Sequence, residues 1–207
     1  MPTKTYFNLK EDKQKLVYRA VFDEFTRVPL EEVSVKNIVT SADIPRGSFY
    51  QYFNDKEEAL VYLITETKNQ GHEELGQSNN EMQLDIFEFM ERVFVSEINK
   101  IKNKELSDRL RLLKQIVKSP KATSVFYSVM SGSRLDHPVL EKCWKNMGMS
   151  DKVDLQEIKT SIFDLVFATL KDCLILAIDS EEGIDASINQ FKLKMNIIKL
   201  GVNQLGR

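Results

Sequence analysis

Apolar residues recur along most of the chain at steps of three and four, the spacing that lines one face of an α-helix. From Glu11 to Thr26, the residues Leu16, Val17, Ala20, Val21 and Phe25 predict a first amphipathic helix, stopped by Pro29. A loop through Val33 leads to Ser34, a capping residue, with Val35, Ile38, Val39 and Ala42 on the inner face of a short helix. Asp43 falls at a tight turn, since Asp tolerates the left-handed conformation, though less well than Gly. Pro45 suits an early helical position, where a missing N–H costs nothing. Phe49 and Phe53, four apart, anchor the next short helix and leave Arg46, Ser48, Tyr50, Gln51 and Tyr52 nearer its outer side. Asp55 and Glu58 then form a capping box for a longer helix carrying Leu60, Leu63 and Ile64, fading near Gly71 or Gly76. Three helices joined in this way can present the last of them to a major groove.

The later pattern is helical throughout. Glu81 to Lys102 is apolar around more than half its circumference, so it is expected to be central. Leu106 to Val117 follows, and Ser119-Pro120 starts another helix that Gly132 stops. Asp136-His137-Pro138 opens a short helix through Trp144, ending near Gly148. Asp151 to Ile178 becomes apolar on every face in its second half. After an Asp179-to-Gly183 turn, Ile184, Ile188, Phe191, Met195, Ile198, Val202 and Leu205 make a heptad-like seam, and Leu193, Ile197 and Leu200 lie on another face. These two helices carry more apolar face than one chain needs to cover, which favours a four-helix bundle between two copies over a larger bundle within one. The interface is assigned to Leu170, Leu174, Ile178, Ile188, Phe191, Met195, Ile198 and Val202. The fold class is all-α. A helix-turn-helix domain occupies residues 1–55 and a second helical domain residues 56–207.

Composition narrows the chemistry. At 207 residues, 42% hydrophobic and 29% charged, the chain can bury a sizeable core. No apolar run approaches the roughly 18 residues of a membrane span, and Met1 to Tyr6 lack a signal-peptide core. Cys143 and Cys173 are too few for a disulfide framework, so reduced thiols and a cytoplasmic setting are expected. His72 and His137 fit no ligand pattern, no glycine-rich phosphate loop occurs, and neither an enzyme nor a cofactor or metal is expected. Net charge is −2, and residues 1–60 carry nine basic and ten acidic side chains. Nucleic-acid binding therefore depends on local placement of Lys4, Lys10, Lys13, Lys36, Arg46 and Lys56. Residues 1–10 are expected to form a flexible arm.

The run Val35…Ile38…Ala42…Ile44…Gly47…Phe49-Tyr50…Tyr52-Phe53…Lys56…Leu60 resembles the DNA-binding signature of TetR-family transcriptional regulators. Two positions depart from it: Asp43 stands where the family usually has Gly, and Pro45 where it usually has Ser or Thr. The resemblance implies that Ser34, Lys36, Tyr50, Tyr52 and Lys56 hold phosphates of a double-stranded operator, while Arg46, Ser48 and Gln51 face base edges. Gly47 would let the backbone approach DNA closely. It also implies a homodimer reading a pseudo-palindrome, and a pocket for a small-molecule effector in the second domain. An aromatic and Met wall of Phe87, Met90, Phe94, Phe126, Met130, Trp144, Phe163 and Phe167 suits an apolar or planar molecule. The function expected is a ligand-responsive regulator, most simply a repressor. The alternative is a helical DNA- or protein-interaction module without an inducer.

Overall fold

The computed structural model describes residues 1–76, 83–102, 107–132, 138–147, 155–179 and 182–205. The polar stretch at 77–80, the helix starts at Glu81, Leu106, Asp136 and Asp151, and the middle of the 179–183 turn lie outside these residues, as do the side chains of His72, Ile178 and Leu205. All elements among the described residues are helical. The chain divides into two compact units, Met1–Gln70 with Asp108–Gly132, and Gly71–Ser107 with Ser133–Arg207.

The first unit contains α1 (Lys4–Phe7), α2 (Glu11–Arg27), a 3₁₀ turn (Leu30–Glu32), α3 (Val35–Ser41), α4 (Arg46–Tyr52), most of α5 (Lys56–Gly76), α7 (Asp108–Ile116) and α8 (Pro120–Gly132). α2 buries Val17, Ala20, Val21, Phe22 and Phe25, while Leu16, expected on that stripe, is exposed. Phe49 and Phe53 of the α4 region reach the same core, with Leu60 and Leu63 of α5. Leu112, Ile116 and Ala122 close it, so α7 and α8 pack with the N-terminal helices. Polar contacts fix that packing. The Gln115 amide donates to the Thr26 carbonyl at 3.1 Å, the Ser119 hydroxyl donates to Glu31 at 2.6 Å, and Lys121 pairs with Glu57. The compact units thus cut the chain differently from a functional division after residue 55.

The N-terminal arm also differs from expectation. Tyr6 is fully buried, 5.4 Å from the Phe53 ring and 5.3 Å from the Tyr62 ring, and its hydroxyl lies 3.2 Å from that of Tyr62. Burial pushes the Tyr6 phenol well above its ordinary range. A single aromatic anchor in a four-residue helix gives no periodicity, which is why pattern reading leaves this segment free.

The second unit contains α6 (Ile86–Lys102), α9 (Pro138–Lys145), α10 (Leu155–Asp179) and α11 (Glu182–Leu205). Asp85 caps α6, accepting from the Phe87 and Glu88 N–H groups at 2.9 and 3.0 Å. Lys199 of α11 binds Asp85 at 2.5 Å and Glu88 at 2.9 Å, which ties the two helices together. Midway along, the Phe94 and Phe191 rings stack at 4.0 Å. No helix among the described residues is long and apolar enough to cross a membrane.

On α11 the two apolar stripes fare differently within the single chain. Ile184, Phe191, Met195 and Val202 are buried within their own chain, as is Leu174 of α10, whereas Leu170, Ile188 and Ile198 are half-buried. The stripe left in solvent is the other one, Leu193, Ile197 and Leu200, at 57–61% exposure. Heptad spacing marks a face that packs on another helix. It does not say whether that helix belongs to the same molecule.

Candidate nucleic-acid interface

α3 begins at Ser34, whose hydroxyl accepts from the Asn37 N–H at 3.4 Å. Its entry is fixed by Glu24, a carboxylate 6% exposed at the end of α2. Glu24 accepts from the Arg27 guanidinium at 2.8 and 2.9 Å, from the Ser34 N–H at 2.9 Å and from the Asn37 amide at 3.2 Å. Burial raises its carboxyl, but the bonds from Arg27, Ser34 and Asn37 outweigh that and hold it below the usual carboxylate range.

The turn between α3 and α4 is made at Asp43, with φ of 48°. Lys13 of α2 caps it, its ammonium donating to the Ala42 and Asp43 carbonyls at 3.1 and 3.0 Å. In the left-handed region an L side chain costs roughly 1 kcal/mol or more, less for Asp than for most. Asp43→Ala is expected to lower stability by about 1 kcal/mol and Asp43→Gly to leave it nearly unchanged, read by thermal unfolding.

α4 buries Phe49 and Tyr52 and presents Arg46, Gly47, Tyr50 and Gln51 to solvent, with Ser48 half-buried. Tyr52, expected among the phosphate contacts, is 7% exposed, and its ring lies in the core 6.0 Å from that of Tyr6. Tyr50 stands out at 49% exposure. After α4, Asp55 caps α5 by accepting from the Glu58 N–H at 2.7 Å, while the Glu58 carboxylate accepts from the Asn54 N–H at 2.7 Å, one residue before the cap position of a strict capping box.

The Lys56 ammonium donates to the carbonyls of Val33 at 3.0 Å and of Leu30 and Glu31 at 3.4 Å, so it clamps the 3₁₀ turn. Half-buried Lys13 and Lys56 thus both fasten turns through backbone carbonyls. Lysine's four-carbon stem reaches either a phosphate or a carbonyl, and residue type alone does not separate the two.

A cleft of about 550 Å³ gathers much of what sequence reasoning selected, bounded by Val33–Lys36, Arg46, Tyr50 and Asp55–Glu57. Lys36 and Arg46 supply cations, Ser34 and Tyr50 hydroxyls. Within this region Asp23 pairs with Arg19 and Glu24 with Arg27, while Glu57 pairs with Lys121 from outside it.

The proposed pocket residues are divided. Phe87, Phe94, Trp144 and Phe167 are buried in the second unit, with Met90 and Phe163 half-buried there. Phe126 and Met130 lie on α8 in the first unit, where Phe126 packs on the N-terminal core.

A short helix, a left-handed turn and a second helix with a buried aromatic face and a polar outer face together define a helix-turn-helix DNA-binding domain. Residues 18–63 match the family model described as bacterial regulatory proteins, tetR family. Residues 18–63 thus carry the DNA-binding domain that this family model describes. Solved structures resembling it include a TetR family transcriptional regulator of Chloroflexus aurantiacus, 21% identical, covering 97% of this chain and 98% of that one, with a TM-score of 0.49. A Mesorhizobium loti protein assigned to the same family is 17% identical over 87% of this chain and 95% of that one, at 0.47. A Pseudomonas aeruginosa protein assigned as a transcriptional regulator is 15% identical over 98% of both chains, at 0.50, a likeness of fold alone. No curated protein matches the chain at a significant level.

Proposed function

We propose that this regulator is a cytoplasmic homodimeric repressor that leaves a pseudo-palindromic operator when a small molecule binds its second helical domain. The observation that carries the reading is the two-sided α4, with Phe49 and Tyr52 inward and Arg46, Tyr50 and Gln51 outward. Arg46 suits guanine and Gln51 adenine in the major groove, with Ser48 beside them. Ser34, Lys36 and Tyr50 hold phosphates from the adjoining cleft. The functional division then falls after residue 55, with residues 56–207 carrying effector binding and dimerisation. The dimer forms through the exposed Leu193–Ile197–Leu200 stripe, which sets the spacing of two recognition helices.

The effector domain offers buried aromatic surface at Phe87, Trp144 and Phe167. The Trp144 indole N–H is buried without an acceptor. An apolar or planar ligand with one oxygen acceptor answers both features. By linkage, an effector that prefers the conformation unable to span two successive major grooves lowers operator affinity.

The test is selection of random duplex DNA by the purified protein at near-physiological salt. A recovered pseudo-palindrome supports the dimeric reader, and its affinity should fall steeply as salt rises. A pool without sequence preference would refute it and favour an interaction module. A saturating apolar ligand that left operator affinity unchanged would refute the effector response alone.

Gly47 gives an independent check on α4. A Cβ built there meets nothing within 4 Å inside the chain. Gly47→Ala is expected to raise thermal stability slightly, because Ala favours the helix by about 1 kcal/mol. It should nevertheless weaken operator binding several-fold. A variant equal to wild type in operator affinity would show that DNA does not approach this backbone.

A further inference from the structure

The C-terminal end of α4 is closed by a segment far away in sequence. The Thr3 N–H donates to the Tyr52 carbonyl at 3.0 Å, and the Thr3 hydroxyl donates to the Gln51 carbonyl at 2.5 Å. A helix of seven residues leaves its last carbonyls without intrahelical donors, and these are two of them. No side chain within α4 supplies a basic group in its last turn. Tyr6, one turn further along the arm, is fully buried against Tyr52, Phe53 and Tyr62, so the arm cannot swing away without opening the aromatic core.

We infer that residues 3–6 form a strap that caps the recognition helix, making Thr3 a positioning residue for DNA reading. The role follows from where the bonds fall. Gln51 carries an outward amide suited to a base edge, and its own carbonyl is the atom that Thr3 holds. Tyr6 anchors the strap, and Thr3 transfers that anchorage to the helix end. Loss of the bonds frays the last turn of α4, which displaces Gln51 relative to Arg46 while the Phe49 side of the helix stays in the core. Discrimination between bases falls more than general attraction to phosphates, because phosphate contacts tolerate small displacements and base contacts do not. The positioning role rests on the DNA-reading function proposed above. The cap itself does not.

The test uses the full-length protein in three variants. Thr3→Val removes the hydroxyl donor. Thr3→Pro removes both donors, and its ring suits the φ of −69° found at this position. Thr3→Ser keeps both donors. Amide hydrogen exchange is compared between α4 and α2, and affinity is measured for the selected duplex and for a scrambled one at the same salt. Exchange in α4 should quicken roughly three- to tenfold in Thr3→Val, the worth of one hydrogen bond, and further in Thr3→Pro, with α2 unchanged. The ratio of specific to scrambled affinity should fall in step, and Thr3→Ser should behave as wild type. Unchanged α4 exchange in Thr3→Pro would overturn the cap. Faster exchange with an unchanged affinity ratio would overturn positioning and leave a merely structural strap. A wild-type protein without a preferred duplex would overturn the DNA reading and the positioning role together, while exchange would still judge the cap.

Discussion

Replacing Ile197 with aspartate is expected to leave each chain folded and to separate the proposed dimer. Ile197 lies between Leu193 and Leu200, at steps of four and three, on a stripe 57–61% exposed in the single chain. A charge there is largely solvated in the single chain, so the helix tolerates it. In a symmetric interface the same substitution occurs twice and places two aspartates among apolar side chains. Each loses about 1–2 kcal/mol of apolar burial, and an unpaired carboxylate enclosed by a partner adds several kcal/mol more. A rise in the dimer dissociation constant of at least about a hundredfold follows, since ~2.7 kcal/mol suffices for that. Sedimentation equilibrium reads it directly. Operator affinity should fall with it, because two linked half-site readers hold DNA more tightly than two free ones.

Met195→Asp, two residues earlier, makes the contrast. Met195 is 1% exposed on the opposite face, against the chain's own core. The expected result is a protein that unfolds in its second unit rather than a soluble monomer. If instead Met195→Asp gave a folded monomer and Ile197→Asp a wild-type dimer, the interface would be the heptad seam after all.

This pair shows what the sequence carries and what it withholds. Local rules were legible. Ser34 caps α3, Asp55 and Glu58 cap α5, Asp43 adopts the left-handed turn, and the Phe49 side of α4 is buried. Each depends on residues within four positions of one another, where propensity and periodicity act. Choices among distant partners were not legible. Two apolar stripes on α11 were visible, but which of them packs at home depends on α6 and α10. Lys13 and Lys56 were visible as cations, but their carbonyl partners are 23 to 30 residues away. Tyr52 and Tyr50 differ only in helical phase, and the deciding contact, Tyr6, comes from an arm with no pattern of its own.

Glu24→Gln is expected to destabilise the N-terminal unit by about 2–4 kcal/mol, because a buried carboxylate with charge-assisted bonds is replaced by an amide that must turn one donor toward another. The Arg27 side of the network is 54% exposed and contributes less than its two short bonds suggest. Most of the loss comes from the Ser34 N–H and Asn37, which set the start of α3. Thermal unfolding of the full chain should show the first unit melting earlier. The pH dependence has a definite sign. The Glu24 carboxyl titrates below its ordinary value of about 4.3, burial notwithstanding, because Arg27, Ser34 and Asn37 bind its charged form. Its stabilisation is therefore complete above the unfolded value and is lost as pH falls through the folded one. Glu31, held low chiefly by the Ser119 hydroxyl, shifts in the same direction. Glu24 sits in the last turn of α2 and Glu31 in the 3₁₀ turn that leads to α3, so acid should loosen this junction first. In Glu24→Gln the acid-dependent loss between pH 7 and 3 should shrink, because the group that titrates is gone. An unchanged acid profile in that variant would assign the loss to other carboxylates. A protected α3 at low pH in the wild-type protein would show that Glu24 does not govern the entry to the helix-turn-helix.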